Sequence, residues 1–193
     1  MSGERKLSDY VKFYQGKNQS RNALDYALRK IYDRDAFDKD SEVMTNPNEI
    51  VSSRQTDSIG KGDIIIDPIR QKAIVVGLDK DNLIIDNNFI KVDFISMELD
   101  KLFFVYMFNE NRDLRRELEV QSQGSAIKKI SIRSLNELEI IVPGIKKQKQ
   151  LGSIYKESSV IKYKSIKKIN LLHEMVLGIL TLSINDDEEK KDE

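Results

Sequence analysis

The sequence has no cysteine, one histidine and three prolines among its 193 residues. Without cysteine, the chain has neither a disulfide framework nor a thiolate metal site. No apolar run reaches membrane-spanning length, and the first residues lack the apolar stretch of a signal peptide. These absences lead us to expect a cytoplasmic protein with no membrane partner.

Charge is balanced over the whole chain but unevenly distributed along it. Residues 121–170 carry eleven basic and three acidic residues, a net charge of +8, whereas residues 186–193 carry a net charge of −4. A basic block of this kind is typical of a protein that binds a polyanion. Charge alone is explained more simply by a solvated lysine-rich helix, so the partner has to be inferred from motifs.

The N-terminal third combines short apolar runs with a long polar segment. Residues 7–13 are expected to form an opening strand or a short helix. The apolar spacing in residues 24–31 favours a short helix, although Ile31 and Tyr32 could equally begin a strand. Residues 33–61 contain Asn-Pro, Ser-Ser and Gly-Lys-Gly, which predicts mostly loop. A long loop in a compact domain is often functional.

The middle of the chain is predicted to contain a sheet followed by helices. Four β-rich runs predict strands, at residues 64–66, 73–76, 83–85 and 89–94. Residues 79–82 separate the second and third runs with the signal of a hairpin turn. Apolar clusters at residues 97–108 and 114–118 predict two helices.

The C-terminal third is predicted to end in one long helix. Ser134 followed three residues later by Glu137 predicts a capping box, and residues 138–142 predict a strand. Residues 146–184 then follow a helical pattern without proline, about 60 Å long. Two rows spaced by seven form an a/d seam: Leu151, Ser158, Ser165, Leu172 and Ile179, and Ile154, Ile161, Lys168, Met175 and Leu182. The polar middle predicts irregular pairing, and the length predicts that part of the apolar stripe needs another helix.

Motifs for catalysis by this chain are absent from the sequence. His173 lies beside Leu172 and Met175 in the long helix, where we expect it to pack. A group of aspartates lacks the glycine and glutamate of an EF-hand loop and is interpreted as a solvated acidic loop: Asp33, Asp35, Asp38 and Asp40. No glycine-rich phosphate loop is present. We therefore expect neither catalytic residues nor a metal site.

An ordered set of motifs occupies residues 123–182. They are a Gly124-Ser125 turn, Ile130-Ser131 through Leu135, a strand ending at Pro143, and Gln148 with Leu151 ahead of the long helix. In this order they resemble the specificity (S) subunit of type I restriction-modification enzymes. Residues 6–122 are similar to the target recognition domain of that family, through Lys6-Leu7-Ser8-Asp9, Gly62-Asp63-Ile64-Ile65 and the segment 100–109.

The resemblance implies an α+β fold. We expect a target recognition domain with a curved mixed or antiparallel sheet and short helices at residues 1–144. A long coiled-coil helix follows at residues 145–184, and a disordered acidic tail at residues 185–193. The family's usual subunit has two recognition domains and two long helices, whereas one of each is found here. A half-subunit, natural or truncated, is therefore expected, acting as a homodimer or beside another specificity half.

The resemblance also implies the partners. The recognition domain would read three to five base pairs of one half of a split double-stranded DNA target. The helix would set the distance to the other half and dock the modification (methyltransferase) subunits, and through them the restriction subunit. S-adenosylmethionine, ATP and magnesium would belong to those partners, so this chain would need no cofactor.

Candidate contacts follow from residue chemistry. Arginine suits guanine and the amides of glutamine suit adenine, while lysine neutralises phosphates. The DNA-binding candidates are Lys128, Lys129, Ser125, Arg21, Arg29, Arg34, Arg54, Arg70, Gln19 and Gln55. The simpler interpretation is that the arginines are solvated loop residues and that Lys128 and Lys129 lie on an exposed strand face. The candidate partner-helix residues are Leu151, Ile154, Ile161, Leu172, Met175, Val176 and Ile179, which could instead fold back on the domain.

Two other functions remain open from the sequence. One is an orphan half-subunit that assembles with modification or specificity subunits and has no DNA target of its own. The other is an enzyme, a nuclease or methyltransferase, whose site has no known motif. Sequence preference in a salt-dependent gel shift would separate DNA binding from assembly. Any cutting or methyl transfer by the chain alone would favour the enzyme.

Overall fold

The computed structural model describes residues 5–17, 30–45, 47, 58–121 and 129–189 of the chain. These residues contain nine short strands: β1 Arg5–Lys6, β2 Val11–Gln15, β3 Ile31–Tyr32, β4 Ser58–Ile59, β5 Ile64–Asp67, β6 Lys72–Val75, β7 Leu83–Ile85, β8 Ile90–Phe94 and β9 Glu139–Ile140. They also contain a 3-10 helix, Leu7–Asp9, and five α-helices: α1 Arg34–Glu42, α2 Lys101–Glu110, α3 Arg112–Gln121, α4 Ile132–Glu137 and α5 Ile145–Glu189.

The strands form one antiparallel and one mixed sheet, with a small accessory pair. The larger sheet has the order β2-β8-β5-β6 and is antiparallel throughout. The mixed sheet has the order β3-β7-β4, with β3 parallel and β4 antiparallel to β7. The accessory pair joins β1 to β9, which brings the start of the chain to the segment before α5. The α+β class predicted from the sequence is confirmed.

The central strands are buried on both faces, which explains their unbroken apolar sequence. Ile64 and Ile66 of β5 face a first core built on α2 and α3, whereas Ile65 faces a second core against the mixed sheet. In the second core, the rings of Phe37 and Phe89 stack with centroids 5.1 Å apart. Strands buried on both sides carry continuous hydrophobic runs, because no face needs polar residues.

A buried lysine connects the two larger sheets. The Lys91 side chain, on β8, is 0% exposed. Its Nζ donates a hydrogen bond to the Ser58 carbonyl oxygen of β4 at 3.0 Å and lies 3.3 Å from the Asp93 carboxylate. A buried charge is tolerated only when it is paired and hydrogen-bonded, so these contacts explain how β8 accommodates it.

The segment expected to be mostly loop contains a helix instead. In α1, Asp33 is the N-cap and its carboxylate accepts a hydrogen bond from Ala36 N at 2.9 Å. The expectation of a solvated acidic loop was therefore wrong for this stretch. Asp40 is buried and accepts a hydrogen bond from the Tyr32 hydroxyl at 2.7 Å. The helix lacks an apolar periodicity because Phe37 alone anchors it in the second core.

The hairpin expected at residues 79–82 was also wrong. β6 pairs with β5, through the turn 68–71, and β7 lies in the other sheet. A turn does form at residues 77–80, where Lys80 N donates to the Gly77 carbonyl oxygen at 3.3 Å, and Asn82 after it adopts a left-handed φ of 47°. The turn chemistry was therefore right, but strand partners depend on tertiary packing.

Smaller corrections concern helix and strand ends. The N-cap of α4 is Ser131, whose hydroxyl accepts from Ser134 N at 3.0 Å, so the capping box predicted at Ser134 was wrong. Strand β9 is shorter than the five residues expected. Met97 lies outside α2, which begins after the N-cap Asp100. Ile31 and Tyr32 form a strand, as the alternative interpretation had it, whereas residues 24–29 lie outside the described part.

The long C-terminal helix is confirmed. Helix α5 has 45 residues, without proline. The chain divides into two compact units, Met1–Glu157 and Ser158–Glu193, so α5 begins in the first and continues into the second. None of the helices in the described part is long and apolar enough to cross a membrane.

Candidate nucleic-acid interface

The turn between β5 and β6 is held by a buried carboxylate. Asp67 ends β5 and its side chain is 0% exposed. Its Oδ1 accepts hydrogen bonds from Ile69 N at 2.9 Å and Arg70 N at 3.1 Å. Gln71 completes the turn with a left-handed φ of 53°. The turn backbone is therefore fixed by its own sequence, with Ile69 and Arg70 exposed.

Two of the candidate arginines meet at this carboxylate. Arg34, the first residue of α1, pairs with Asp67 Oδ2, and its guanidinium lies 5.4 Å from the centre of the Phe89 ring. Arg70 pairs with Asp38 of α1, and its Nε lies 3.7 Å from Asp67. The two side chains are 36% and 45% exposed. Arg34 and Arg70 thus belong to one network, which we call the arginine cluster together with Asp38 and Asp67.

The pKa shifts found in the arginine cluster belong to its exposed ion pair, Asp38 and Arg70. Hydrogen bonding from Arg70 holds the pKa of the Asp38 carboxyl below its usual range. The same contact raises the pKa of the Arg70 guanidinium. Arg34 and Lys72 also act on Asp38 through their charge, so this carboxylate faces three cations.

A third candidate, Lys129, reaches the same turn from a distant part of the chain. Ile130 N donates a hydrogen bond to the Pro68 carbonyl oxygen at 3.0 Å, and Lys129 is exposed beside it. The described members of the predicted DNA-binding set therefore converge on residues 67–71. The remaining members lie outside the described residues: Gln19, Arg21, Arg29, Arg54, Gln55, Ser125 and Lys128.

A second candidate element is the joint between α2 and the first turns of α5. The Gln148 side chain is 1% exposed and makes three hydrogen bonds. Its amide nitrogen donates to the Glu98 carbonyl oxygen at 2.8 Å and to the Pro143 carbonyl oxygen at 2.7 Å. Its amide oxygen accepts from Asp100 N at 2.8 Å, at the N-terminus of α2. The glutamine that carried the family resemblance therefore fastens the first turn of α5 to the start of α2.

The next two turns of α5 continue this attachment. Gly152 lies so close to α2 that a Cβ built on it would be 2.7 Å from both Leu102 Cβ and Phe103 N. Tyr155 donates a hydrogen bond from its hydroxyl to Glu110 at 2.9 Å and also accepts one from Asn109 at 3.4 Å. Burial raises the pKa of Tyr155 to about 12.

Asn109 extends that attachment to an edge strand. Its amide pairs with both backbone groups of Ala73 on β6, at 2.8 and 2.9 Å. The edge of the larger sheet is thus closed by a side chain from α2. Sequence reasoning missed Asn109 and Tyr155. The signal that could have found Asn109 is a polar residue near the end of an otherwise apolar helix, whereas no such signal marks Tyr155.

The predicted partner-helix residues occupy two different environments. Leu151 is partly buried and packs against the first core. The others are 49–67% exposed: Ile154, Ile161, Leu172, Met175, Val176 and Ile179. His173 is exposed in this helix, so among the residues that the structure describes it does not pack as expected. In the part of the chain that is described, no three acidic or histidine side chains come together as metal ligands could.

The sequence matches one protein family over most of its length. The model of the type I restriction modification DNA specificity domain matches residues 5–171. No curated protein matches the sequence.

Solved structures similar to the chain include two subunits of restriction-modification systems. The HsdS subunit from Thermoanaerobacter tengcongensis is 15% identical with a TM-score of 0.55, over 86% of this chain and 39% of that one. The type I restriction-modification system S subunit from M. genitalium is 17% identical with a TM-score of 0.48, over 79% of this chain and 37% of that one. The first likeness shows a shared fold, and this chain spans about two fifths of that relative's length.

Proposed function

The chain belongs to the family of type I restriction-modification DNA specificity domains, and we propose that it reads one half of a two-part DNA target and docks methyltransferase subunits. It would supply the DNA sequence specificity, while its partners would supply the adenine methylation chemistry. S-adenosylmethionine, ATP and magnesium would be bound by those partners, with no catalytic residue on this chain. The double-stranded target would be read by the first unit and the partners held by α5.

One observation supports the DNA-reading half of this proposal above the others. Arg34 and Arg70, from separate segments, meet at the buried Asp67 of one fixed turn, and the backbone next to the exposed Lys129 is bonded to the same turn. Cations placed in this way neutralise phosphates and release counterions, which gives affinity. Arginine beside exposed apolar and amide side chains can in addition recognise base edges. A turn that projects such residues from a rigid sheet is suited to reading DNA.

A gel shift at increasing salt tests DNA reading. The full chain is titrated into two duplexes, one carrying the motif methylated in cells that express it and one with that motif scrambled. We expect both duplexes to be bound at low salt and only the complex with the first duplex to persist at moderate salt. Binding through phosphate contacts alone weakens steeply as salt is raised. Equal loss of both duplexes would contradict sequence-specific reading.

The exposed surface of α5 supports the docking half. Between residues 166 and 182, ten apolar side chains are exposed: Ile166, Ile169, Leu171, Leu172, Met175, Val176, Leu177, Ile179, Leu180 and Leu182. At about 100° per residue they cover roughly 240° of the helix circumference. A two-stranded seam uses only the a and d positions of each heptad. The width of this arc favours more than one partner helix, which a second copy of the chain and the modification subunits would provide.

We propose that two copies pair antiparallel through residues 151–182, or that one copy pairs with another specificity half. A two-fold dimer would present two identical recognition domains to inverted half-sites, at a separation set by the helices. The polar middle of the seam, which includes Ser158 and Ser165, leaves the apolar segment 166–182 to supply most of the pairing free energy.

The alternative is an orphan half-subunit that assembles with modification or specificity subunits and has no DNA target. It is favoured by the ion pairs of Arg34 and Arg70, which engage both arginines within the protein. Absence of sequence preference in the gel shift, together with co-purification of modification subunits, would support this alternative.

A further inference from the structure

Arg34 and Arg70 hold unequal positions in the arginine cluster. Arg34 lies against the Phe89 ring and pairs with a carboxylate that is 0% exposed, so its removal would leave that buried charge with Arg70 as a more distant cation, 3.7 Å away. Arg70 belongs to an exposed ion pair, because its side chain is 45% exposed and that of its partner Asp38 is 46% exposed. Exposed ion pairs are weak, since water and salt screen them. Of the two arginines, Arg70 is therefore the one that can exchange its partner without loss of the fold.

The turn that carries Arg70 has the shape and composition of a groove-reading element. It joins two antiparallel strands, and a two-stranded ribbon can enter the major groove. Its exposed residues are Ile69 and Arg70, followed by the half-buried Gln71. These side chains can contact the thymine methyl group, the guanine edge and the adenine edge respectively. The turn backbone is fixed by Asp67 and by Ile130, so little order has to be gained on binding.

On the premise that the chain reads DNA, we propose that the β5–β6 turn enters the major groove and that Arg70 exchanges Asp38 for the edge of a guanine. Arg70 is then a specificity-determining residue, whereas Arg34 and Asp67 are positioning residues that hold the turn. The acceptor atoms O6 and N7 of guanine replace the two carboxylate oxygens, which keeps both ends of the guanidinium hydrogen-bonded.

Asp38 has a separate role in this exchange. In the free protein its charge offsets Arg70 and opposes the approach of any phosphate, although the charges of Arg34 and Lys72 also act on it. A wrong sequence offers Arg70 no substitute for the carboxylate, so the ion pair stays closed. Asp38 thus lowers affinity for non-cognate DNA more than affinity for the target, and raises the ratio between them.

Selection from a randomised duplex library tests the exchange, with the full-length chain at fixed moderate salt. The wild type should enrich one motif, and R70A should enrich the same motif with one guanine position relaxed. For the selected duplex, R70A should weaken binding about 10- to 100-fold, the range of one bidentate base contact. For a scrambled duplex, R70A should weaken binding by less than about threefold, because only one phosphate contact would be lost. D38N should strengthen scrambled-duplex binding several-fold and change target binding little.

R133A is the matched control, because Arg133 is also an exposed arginine in an ion pair, with Glu137, and lies outside the cluster. It should leave the motif and both affinities unchanged. Circular dichroism should show that R70A and D38N remain folded and unfold close to the wild-type transition, because an exposed ion pair contributes little to stability. Equal weakening of both duplexes by R70A, or an unchanged motif, would overturn the exchange while the proposed function stands. Failure of the wild type to enrich any motif would instead overturn the proposed function.

Discussion

At the scale of single residues, the joint depends on one buried amide. Gln148 satisfies two carbonyl oxygens and one N–H group that the surrounding backbone leaves without helix or sheet partners. Buried polar groups cost most when a partner is removed, because they cannot return to water. The glutamine therefore stabilises the attachment of α5 through geometry that no other side chain of that size reproduces.

Replacing Gln148 by leucine should lower the free energy of unfolding by about 2–3 kcal/mol, because three partly buried backbone groups lose the amide that pairs with them. Urea unfolding followed by circular dichroism measures this loss. Q150L is the control, since Gln150 is exposed two residues further along the same helix and its replacement should change stability little. Equal stability of Q148L and Q150L would contradict the account of the joint.

Asp38 and Arg70 make the charge pair testable by titration. Asp38 has a lowered pKa in the folded protein because Arg70 bonds its charged form. R70A should therefore move the Asp38 pKa up toward the ordinary value of an aspartate, about 3.9. The pair's contribution to stability is present at neutral pH and is lost as pH falls through the lowered pKa. Carboxyl carbon NMR measures the shift.

R133A should leave the Asp38 titration unchanged, because Arg133 pairs with Glu137 instead. An Asp38 pKa that is the same in the wild type and in R70A would show that the pair is not formed in solution.

At the scale of elements, the packing of α5 on α2 differs sharply from the environment of its C-terminal part. Gly152 touches α2 closely, whereas a Cβ on Gly178 would meet no atom within 4 Å. Glycine is thus required for close approach at position 152, whereas at position 178 it only lowers the stability of the helix. Position along the helix, rather than residue type, decides the effect of a substitution.

Alanine substitutions at the two glycines should change the free energy of unfolding in opposite directions. G152A should destabilise the chain by about 1–3 kcal/mol, because its methyl group overlaps with Leu102 and the Phe103 backbone. G178A should stabilise the helix by about 0.5–1 kcal/mol, since alanine loses less backbone entropy than glycine. Thermal unfolding of the two variants side by side measures the difference, and equal shifts would contradict the packing described for α5.

The elements differ in how far they could be predicted. Residues 64–66 and the long helix were recognisable because local pattern alone determines them. Helix α1 was not, because it is anchored by Phe37 alone and its aspartates find Tyr32 and Arg70 only in the folded chain. For the same reason Arg34 and Arg70 could be named as candidates from their chemistry, while their convergence on Asp67 required the structure.

At the scale of the whole molecule, the proposed function joins a DNA reader to a helix that carries partners. The chain spans about two fifths of the length of the larger solved relative. A second copy would complete a reader of two half-sites. The division into a recognition domain at 1–144, a helical region at 145–184 and an acidic tail at 185–193 stays a prediction.

Self-association is the prediction at this scale. The full chain at tens of micromolar should be a dimer by light scattering, and I179D should be a monomer, because a charge in the exposed apolar arc opposes helix pairing. N170D is the control on the polar side of the same helix. The domain itself should unfold unchanged in both variants. A monomeric wild type would count strongly against the homodimer.

The proposed function is that this chain gives a methyltransferase complex its DNA sequence specificity. Mapping methylated adenines in cells with and without the chain tests it most directly. The account predicts that one interrupted motif disappears with the chain, and that its two halves are inverted copies of each other if the chain acts as a homodimer. An adenine methylation map that is the same in both strains would contradict the claim.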